Sequence, residues 1–129
     1  MPKTKFIFWE RRGRLAAEAR GHLQSAPAAI HEVQNEREFF AALERSPFPV
    51  VILERNSVGD QAADAIAAAA AKDAWIIVVG PGSPDERRRD LDLGARLLFH
   101  DAPDRRTWGA TLRRLSAVSR AGTTFARTA

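Results

Sequence analysis

Five short apolar segments alternate along this chain with stretches whose apolar residues recur at helical spacing. The apolar segments lie at residues 6–9, 29–33, 50–53, 75–79 and 96–100. Most are rich in β-branched and aromatic side chains, and their length of four or five residues predicts β-strands. The segments at 50–53 and 75–79 contain no polar residue, which is typical of central strands in a parallel sheet. The segment at 29–33 carries polar residues and predicts a strand near a sheet edge.

Helices are predicted between these strands from apolar stripes at helical spacing and from residue types that cap helix ends. Five helices are expected: at 14–25, after a cap at Asn35, at 61–73, between a cap at Ser83 and Gly94, and after a cap at Asp101 or Asp104. The helix that begins at Ser83 has proline at its first position and a glutamate that completes a capping box.

Strict alternation of five strands with five helices predicts an α/β fold whose parallel sheet is covered on both faces. The commonest topology for this number of strands is a doubly wound sheet of order 2-1-3-4-5, a flavodoxin-like, three-layer sandwich. The 129 residues have the length of one domain,. We predict that domain over residues 1–120 and a tail over 121–129. Ligands of such folds bind at the carboxyl ends of strands 1 and 3.

The amino-acid composition excludes several classes of protein. The absence of cysteine excludes disulfide scaffolds, thiolate metal sites and cysteine nucleophiles,. No apolar stretch approaches the roughly 18–20 residues that cross a membrane, and the patch at 6–9 is too short for a signal peptide, so we expect a cytoplasmic protein. The 20 Lys and Arg residues exceed the 16 Asp and Glu residues, giving a formal net charge of +4 that can attract nucleic acid or an acidic partner,.

Three segments carry a resemblance to a known family. Residues 35–43 (NEREFFAAL), 49–54 (PVVILE) and 94–98 (GARLL) resemble the second-helix entry, the third strand and the turn into the fifth strand of response-regulator receiver domains. The resemblance extends over about residues 4–120. It implies the receiver fold and a role in two-component signal transduction, in which an aspartate at the end of strand 3 accepts a phosphoryl group.

The resemblance places residues of a different kind at the family's chemical positions. The acidic pair that helps to hold magnesium falls on Trp9 and Glu10, and the phosphoacceptor aspartate falls on Glu54. The hydroxyl residue that ends strand 4 falls on Gly80. The predicted degenerate pocket therefore consists of Trp9, Glu10, Glu54, Gly80 and, where the family has a lysine, His100 or Asp101.

These replacements predict that the pocket does not carry out the family's phosphoryl transfer. Magnesium needs near-octahedral oxygen ligands, and phosphoryl transfer depends on positioning, so that a misplacement of about 1 Å can cost about 10²-fold in rate. We expect no enzyme activity, no cofactor and no metal. Two interpretations stay open: Glu10 and Glu54 are solvated carboxylates paired with Arg11 and Arg55, or Glu54 mimics a phosphorylated aspartate.

No other group of residues has the spacing of a catalytic or metal site. The three histidines lack metal-ligand spacing, the serines lie in no nucleophile elbow, and the glycines at 80–82 fit a turn before a helix cap better than a phosphate loop,. The three tryptophans are predicted core residues, and Trp9 could also fill the crevice.

Arginines on the fourth and fifth predicted helices suggest an interaction surface beside strand 5. In receiver domains, this face is what the resemblance implies for dimerisation and partner docking. The predicted surface residues are Arg87, Arg88, Arg105, Arg106, Arg113 and Arg114. The sequence thus predicts a degenerate receiver-like signalling domain that binds a protein partner or a second copy of itself. The alternatives are a sensor of small molecules or anions at the crevice and a basic-faced regulator associated with nucleic acid.

Overall fold

A single five-stranded parallel sheet of order β2-β1-β3-β4-β5 forms the centre of the molecule. The computed structural model describes residues 3–120, and the predicted tail at 121–129 lies outside the described residues. All four strand pairings are parallel, with β2 and β5 at the edges, which confirms the predicted topology. The strands are β1 (Thr4–Trp9), β2 (Ala28–Val33), β3 (Val50–Glu54), β4 (Trp75–Val79) and β5 (Ala95–Phe99).

Helices connect all of these strands. They are α1 (Arg14–His22), α2 (Glu36–Glu44), α3 (Arg55–Val58), α4 (Ala62–Ala71), α5 (Pro84–Leu93) and α6 (Arg105–Arg120), with a 3₁₀ turn at Gly59–Gln61. The short helix α3 was not predicted, because four residues are too few to show helical periodicity. The fourth and fifth predicted helices correspond to α5 and α6. The cap of α6 is Asp104 and not Asp101, since its Oδ1 accepts a hydrogen bond of 2.8 Å from the amide of Thr107.

Side chains on the two faces of the sheet build two separate cores. Along β1, Phe6 and Phe8 pack with apolar residues of α1 and α6, while Ile7 and Trp9 pack with those of α2 and α4. Leu93 brings α5 into the second group. The molecule is therefore a three-layer sandwich, as predicted, with α5 and α6 on opposite faces of the sheet.

Hydrogen bonds at the helix starts follow the sequence signals in part. The capping box at α5 is complete, because Ser83 and Glu86 each accept a hydrogen bond from the other's amide. At α2, Asn35 accepts from the amide of Glu38, but the carboxylate of Glu38 accepts from Gln34 instead of from Asn35. Within residues 3–120, no helix combines the length and apolar character that spanning a bilayer requires.

Candidate functional site

The carboxyl ends of β1, β3 and β4 lie at one edge of the sheet. Trp9 is paired with Leu53, and Glu54 is paired with Val79. Glu10, Glu54 and Gly80 follow directly on these pairs and are brought together as the topology predicts. The contacts that these residues make differ from the expected ones.

Glu10 is a buried helix cap, and the expectation that it is a solvated carboxylate is wrong. Only 2% of its surface is exposed. Its two carboxylate oxygens accept hydrogen bonds from the amides of Leu15 at 2.9 Å and Ala16 at 2.7 Å. The cap residue Gly13 has no side chain to do this. Burial raises the pKa of Glu10 above 4.5, although these two hydrogen bonds oppose the shift and the charges of Glu54 and Glu32 add to it.

Trp9 belongs to the core on the α2 face of the sheet. Its ring lies 5.1 Å from that of Phe39 and is 3% exposed, so the prediction of a core tryptophan is confirmed at this position. The side chain packs among apolar residues of α2 and α4. It therefore contributes bulk to the core where the family pattern places a carboxylate, and it offers no oxygen to a cation.

Glu54 is half-buried and bound to Ser57, not to Arg55. The hydroxyl of Ser57 donates to Oε1 of Glu54 and accepts a 2.8 Å hydrogen bond from the backbone amide of Arg11. The expected pairing of Glu54 with Arg55 is wrong, because the guanidinium of Arg55 lies against Gly80 and Asp90 instead. This chain of hydrogen bonds ties the loop after β1 to the start of α3.

Arg55 passes beneath the loop that follows β4. Its Nε donates to the carbonyl of Gly80 at 3.4 Å. A Cβ atom at Gly80 would lie 3.1 Å from Cβ of Arg55, and one at Gly82 would lie 2.8 Å from its Cζ. Gly80 also has a φ of 127°, which favours glycine. The two glycines thus make room for the arginine, which explains why the strand 4 position carries no hydroxyl side chain.

The guanidinium of Arg55 ends in a buried ion pair with α5. Nη2 lies 2.7 Å from Oδ2 of Asp90, and the two side chains are 8% and 0% exposed. Arg89 approaches the other oxygen of Asp90 at 3.0 Å from a side chain that is 43% exposed. Sequence reasoning missed the Arg55–Asp90 pair. No local spacing in the sequence indicates it, because the two residues lie far apart along the chain and meet only in the fold.

His100 and Asp101 are not part of the buried group that Arg55 forms with Gly80 and Asp90. Both are exposed residues that follow β5, and His100 lines a concavity between α5 and β5. Arg55 is thus the cation buried beneath the loop after β4, and neither residue that the resemblance matched to the lysine takes that place.

The crevice does not fit the magnesium ion that the fold family implies. In the described part of the chain, no three His, Asp or Glu side chains lie together in a way that could hold a metal. The carboxylate of Glu10 is committed to two amides, and that of Glu54 to Ser57. The mouth of the crevice is instead a cleft of about 370 Å³ that is lined only by polar residues: Arg11, Arg12, Arg14, Glu54, Asn56 and Ser57.

The predicted arginine surface surrounds the edge strand β5. Arg87 and Arg88 line a concavity of about 600 Å³ on the α5 side, and Arg106 and Arg114 line one of about 570 Å³ on the α6 side. Arg113 faces away toward α1, where it lines a third concavity with His22. We call the two concavities that flank β5, with their four arginines, the β5-edge surface. Arg105 is exposed and lines neither concavity.

Comparison with known proteins identifies the fold. No protein-family model and no curated protein sequence matches the chain. A response regulator from Thermotoga maritima superposes with a TM-score of 0.70 at 18% identity, over 92% of this chain and 98% of that one. The receiver domain of a DNA-binding response regulator from Colwellia psychrerythraea gives 0.71 at 18%, over 88% and 97%. A response regulator from Burkholderia pseudomallei with a phosphorylated aspartic acid and a calcium ion gives 0.70 at 17%, over 92% and 72%. The fold of this chain is therefore that of the receiver domains of response regulators.

Proposed function

We propose that this chain is a receiver-like signalling domain that acts by binding a protein partner and does not transfer phosphoryl groups to an aspartate. The observation that carries the proposal is the commitment of the crevice residues to the fold itself. Glu10 caps α1, Trp9 packs in the core, and Arg55 occupies the space beneath Gly80. With these residues committed to the scaffold, the crevice lacks the groups that phosphoryl transfer needs, and we place the signalling function of the domain in partner binding at another surface.

The β5-edge surface is the part of the molecule that we propose for partner binding. Leu91 exposes 52% of its surface there, one helical turn after the two arginines of α5, and the half-buried Leu98 lines the same concavity. On the α6 side, the lining combines arginines with Trp75, Leu97 and Phe99. Apolar contacts surrounded by guanidinium groups favour a partner segment that carries apolar and acidic residues. A two-fold dimer through this surface would bring the arginines of both copies into one interface, and this accumulation of like charge favours a different, acidic protein over a second copy.

Phosphoryl transfer is tested by incubating the chain with a small phosphodonor and magnesium and measuring its intact mass. We expect no adduct. A stable gain of about 80 Da, the mass of one phosphoryl group, that is lost in Glu54→Gln would contradict the proposal. A receiver domain with an intact aspartate serves as the positive control for the phosphodonor.

Partner binding is tested with two charge-reversed double variants that change the net charge equally. Arg87→Glu with Arg88→Glu alters the β5-edge surface, and Arg37→Glu with Arg45→Glu alters exposed positions at α2. We expect only the first pair to abolish cross-linking to a specific protein in native extract. Equal cross-linking by both double variants would refute the proposal that the partner binds at the β5-edge surface.

Two further outcomes of these variants would replace the proposed partner. Concentration-dependent sedimentation lost only in the Arg87 and Arg88 pair would make a second copy the partner. Salt-dependent oligonucleotide binding lost in the same pair would make nucleic acid the partner.

A further inference from the structure

The polar cleft at the mouth of the crevice has the opposite charge to a magnesium site. Three guanidinium groups, those of Arg11, Arg12 and Arg14, line it together with one carboxylate, that of Glu54. The formal charge of the lining is therefore three positive against one negative. The other crevice carboxylate, that of Glu10, points into the backbone amides of α1 and is 2% exposed. It consequently adds little to the cleft.

None of the three cleft arginines forms an ion pair within the described residues, in contrast to three other arginines of the molecule. Arg20 is paired with Glu32, and Arg55 and Arg89 are paired with Asp90. Among residues 3–120, no carboxylate lies within ion-pair distance of the three cleft arginines. The remaining residues, 1–2 and 121–129, contain no Asp or Glu that could neutralise them. Among the described residues, only Glu54 opposes the three guanidinium groups, so the lining keeps an excess of positive charge.

Two hydrogen bonds link the two walls of the cleft. The amide of Arg11 donates to Ser57, whose hydroxyl donates to Glu54. This network joins the loop after β1, which carries Arg11 and Arg12, to α3 on the opposite wall. Asn56, exposed on the same wall, adds amide donors,. A preformed cleft with several guanidinium forks suits an oxyanion, since arginine matches phosphate geometry with two parallel hydrogen bonds.

We propose that this cleft binds a small molecule that carries phosphate groups. Its volume of about 370 Å³ falls near the lower end of the range of about 300–1,000 Å³ for ligand sites, which favours a compact ligand over a macromolecule,. A phosphate group with close to two negative charges matches the excess of positive charge, whereas a single carboxylate does not. Ligand binding here is independent of partner docking at the β5-edge surface, so either proposal can fail without the other.

Calorimetric titration with inorganic pyrophosphate and with orthophosphate tests the site. We expect pyrophosphate to bind more tightly, because it brings more charge to the same donors. Arg11→Gln with Arg12→Gln should weaken pyrophosphate binding by about 100-fold, at roughly tenfold for each charged hydrogen bond. Arg37→Gln with Arg45→Gln removes the same charge outside the cleft and should change the affinity by less than about threefold, an effect of screened long-range charge.

Glu54→Gln should change the affinity for pyrophosphate in the opposite direction. Because its carboxylate repels the ligand, the substitution should strengthen pyrophosphate binding by several-fold, while the amide still accepts the hydrogen bond of Ser57. The altered arginines are exposed, so circular dichroism should show all variants folded. Three results would overturn the proposal: no pyrophosphate binding at millimolar concentration, equal losses in the two arginine pairs, or binding of a single-stranded oligonucleotide without binding of pyrophosphate.

Discussion

Substitution of Asp90 by Asn should destabilise the protein more than any change at its exposed ion pairs. Asp90 is the carboxylate that neutralises Arg55, and both side chains are buried. At 2.7 Å and an effective dielectric constant of about 20, the attraction between the two charges is about 6 kcal/mol,. Desolvation offsets part of this, and removal of one partner from a buried pair typically costs about 3–5 kcal/mol. We expect a loss of that size, out of a total stability of about 5–15 kcal/mol.

Arg89→Gln is the matched control, because Arg89 contacts the same carboxylate at 3.0 Å but is 43% exposed. An exposed pair contributes about 0–1 kcal/mol. The assay is urea unfolding followed by tryptophan fluorescence and by circular dichroism. With a slope of about 2 kcal/mol/M, Asp90→Asn should lower the midpoint by about 2 M without changing the slope.

Two results would refute this reasoning. One is a loss for Asp90→Asn that lies within 1 kcal/mol of that for Arg89→Gln, which would mean that burial does not decide the contribution. The other is an equally large loss in Arg55→Met with Asp90→Leu, because replacing both partners by apolar residues leaves no unpaired charge and should be close to neutral.

Three further predictions concern the same edge of the sheet. Gly82→Ala should cost about 1–3 kcal/mol because its Cβ would lie 2.8 Å from Cζ of Arg55,. That cost should vanish in an Arg55→Ala background, as a double-mutant cycle of unfolding free energies will reveal. Burial raises the pKa of Glu10 in the folded protein, so the carboxyl group ionises less readily there than in the unfolded chain. The free energy of unfolding of the wild type, relative to that of Glu10→Gln, should therefore fall as the pH rises from 4.5 toward neutrality,. A rise measured in urea titrations would contradict this. Trp9→Ala should cost about 3–5 kcal/mol, and Trp9→Phe should cost clearly less because it leaves a smaller cavity; equal losses in thermal unfolding would show that Trp9 does not pack in the core,.

The order of strands and helices could be predicted because burial on a parallel sheet imposes a local pattern. The apolar run at β4 and the capping signals at Ser83 and Glu86 each depend on neighbours a few residues away. The four-residue helix α3 lacks such a pattern, because it is too short to repeat an apolar residue at helical spacing,. Local signals therefore predicted the elements that are long enough to bury an apolar face.

The location of the candidate site was also predictable, but the roles of its residues were not. Parallel strands end at one edge, so Glu10, Glu54 and Gly80 had to lie near one another. Whether Glu10 faces the crevice or the start of α1 depends on how that helix leaves the sheet. The partner of Arg55 lies on α5, which no local spacing indicates.

By itself, the sequence determined the alternating strands and helices and therefore a parallel sheet, because periodicity and connection lengths are local properties of the chain. The order of the strands was predicted as the commonest topology for such a chain, and that order placed the site at one edge of the sheet,. Only the tertiary structure decided which charges neutralise each other. Asp90 pairs with Arg55 in the space that two glycines leave open, whereas no ion pair joins Arg11, Arg12 or Arg14 to a carboxylate of the described residues. Charge pairing depends on distances across the fold, and those distances exist only once the layers have packed.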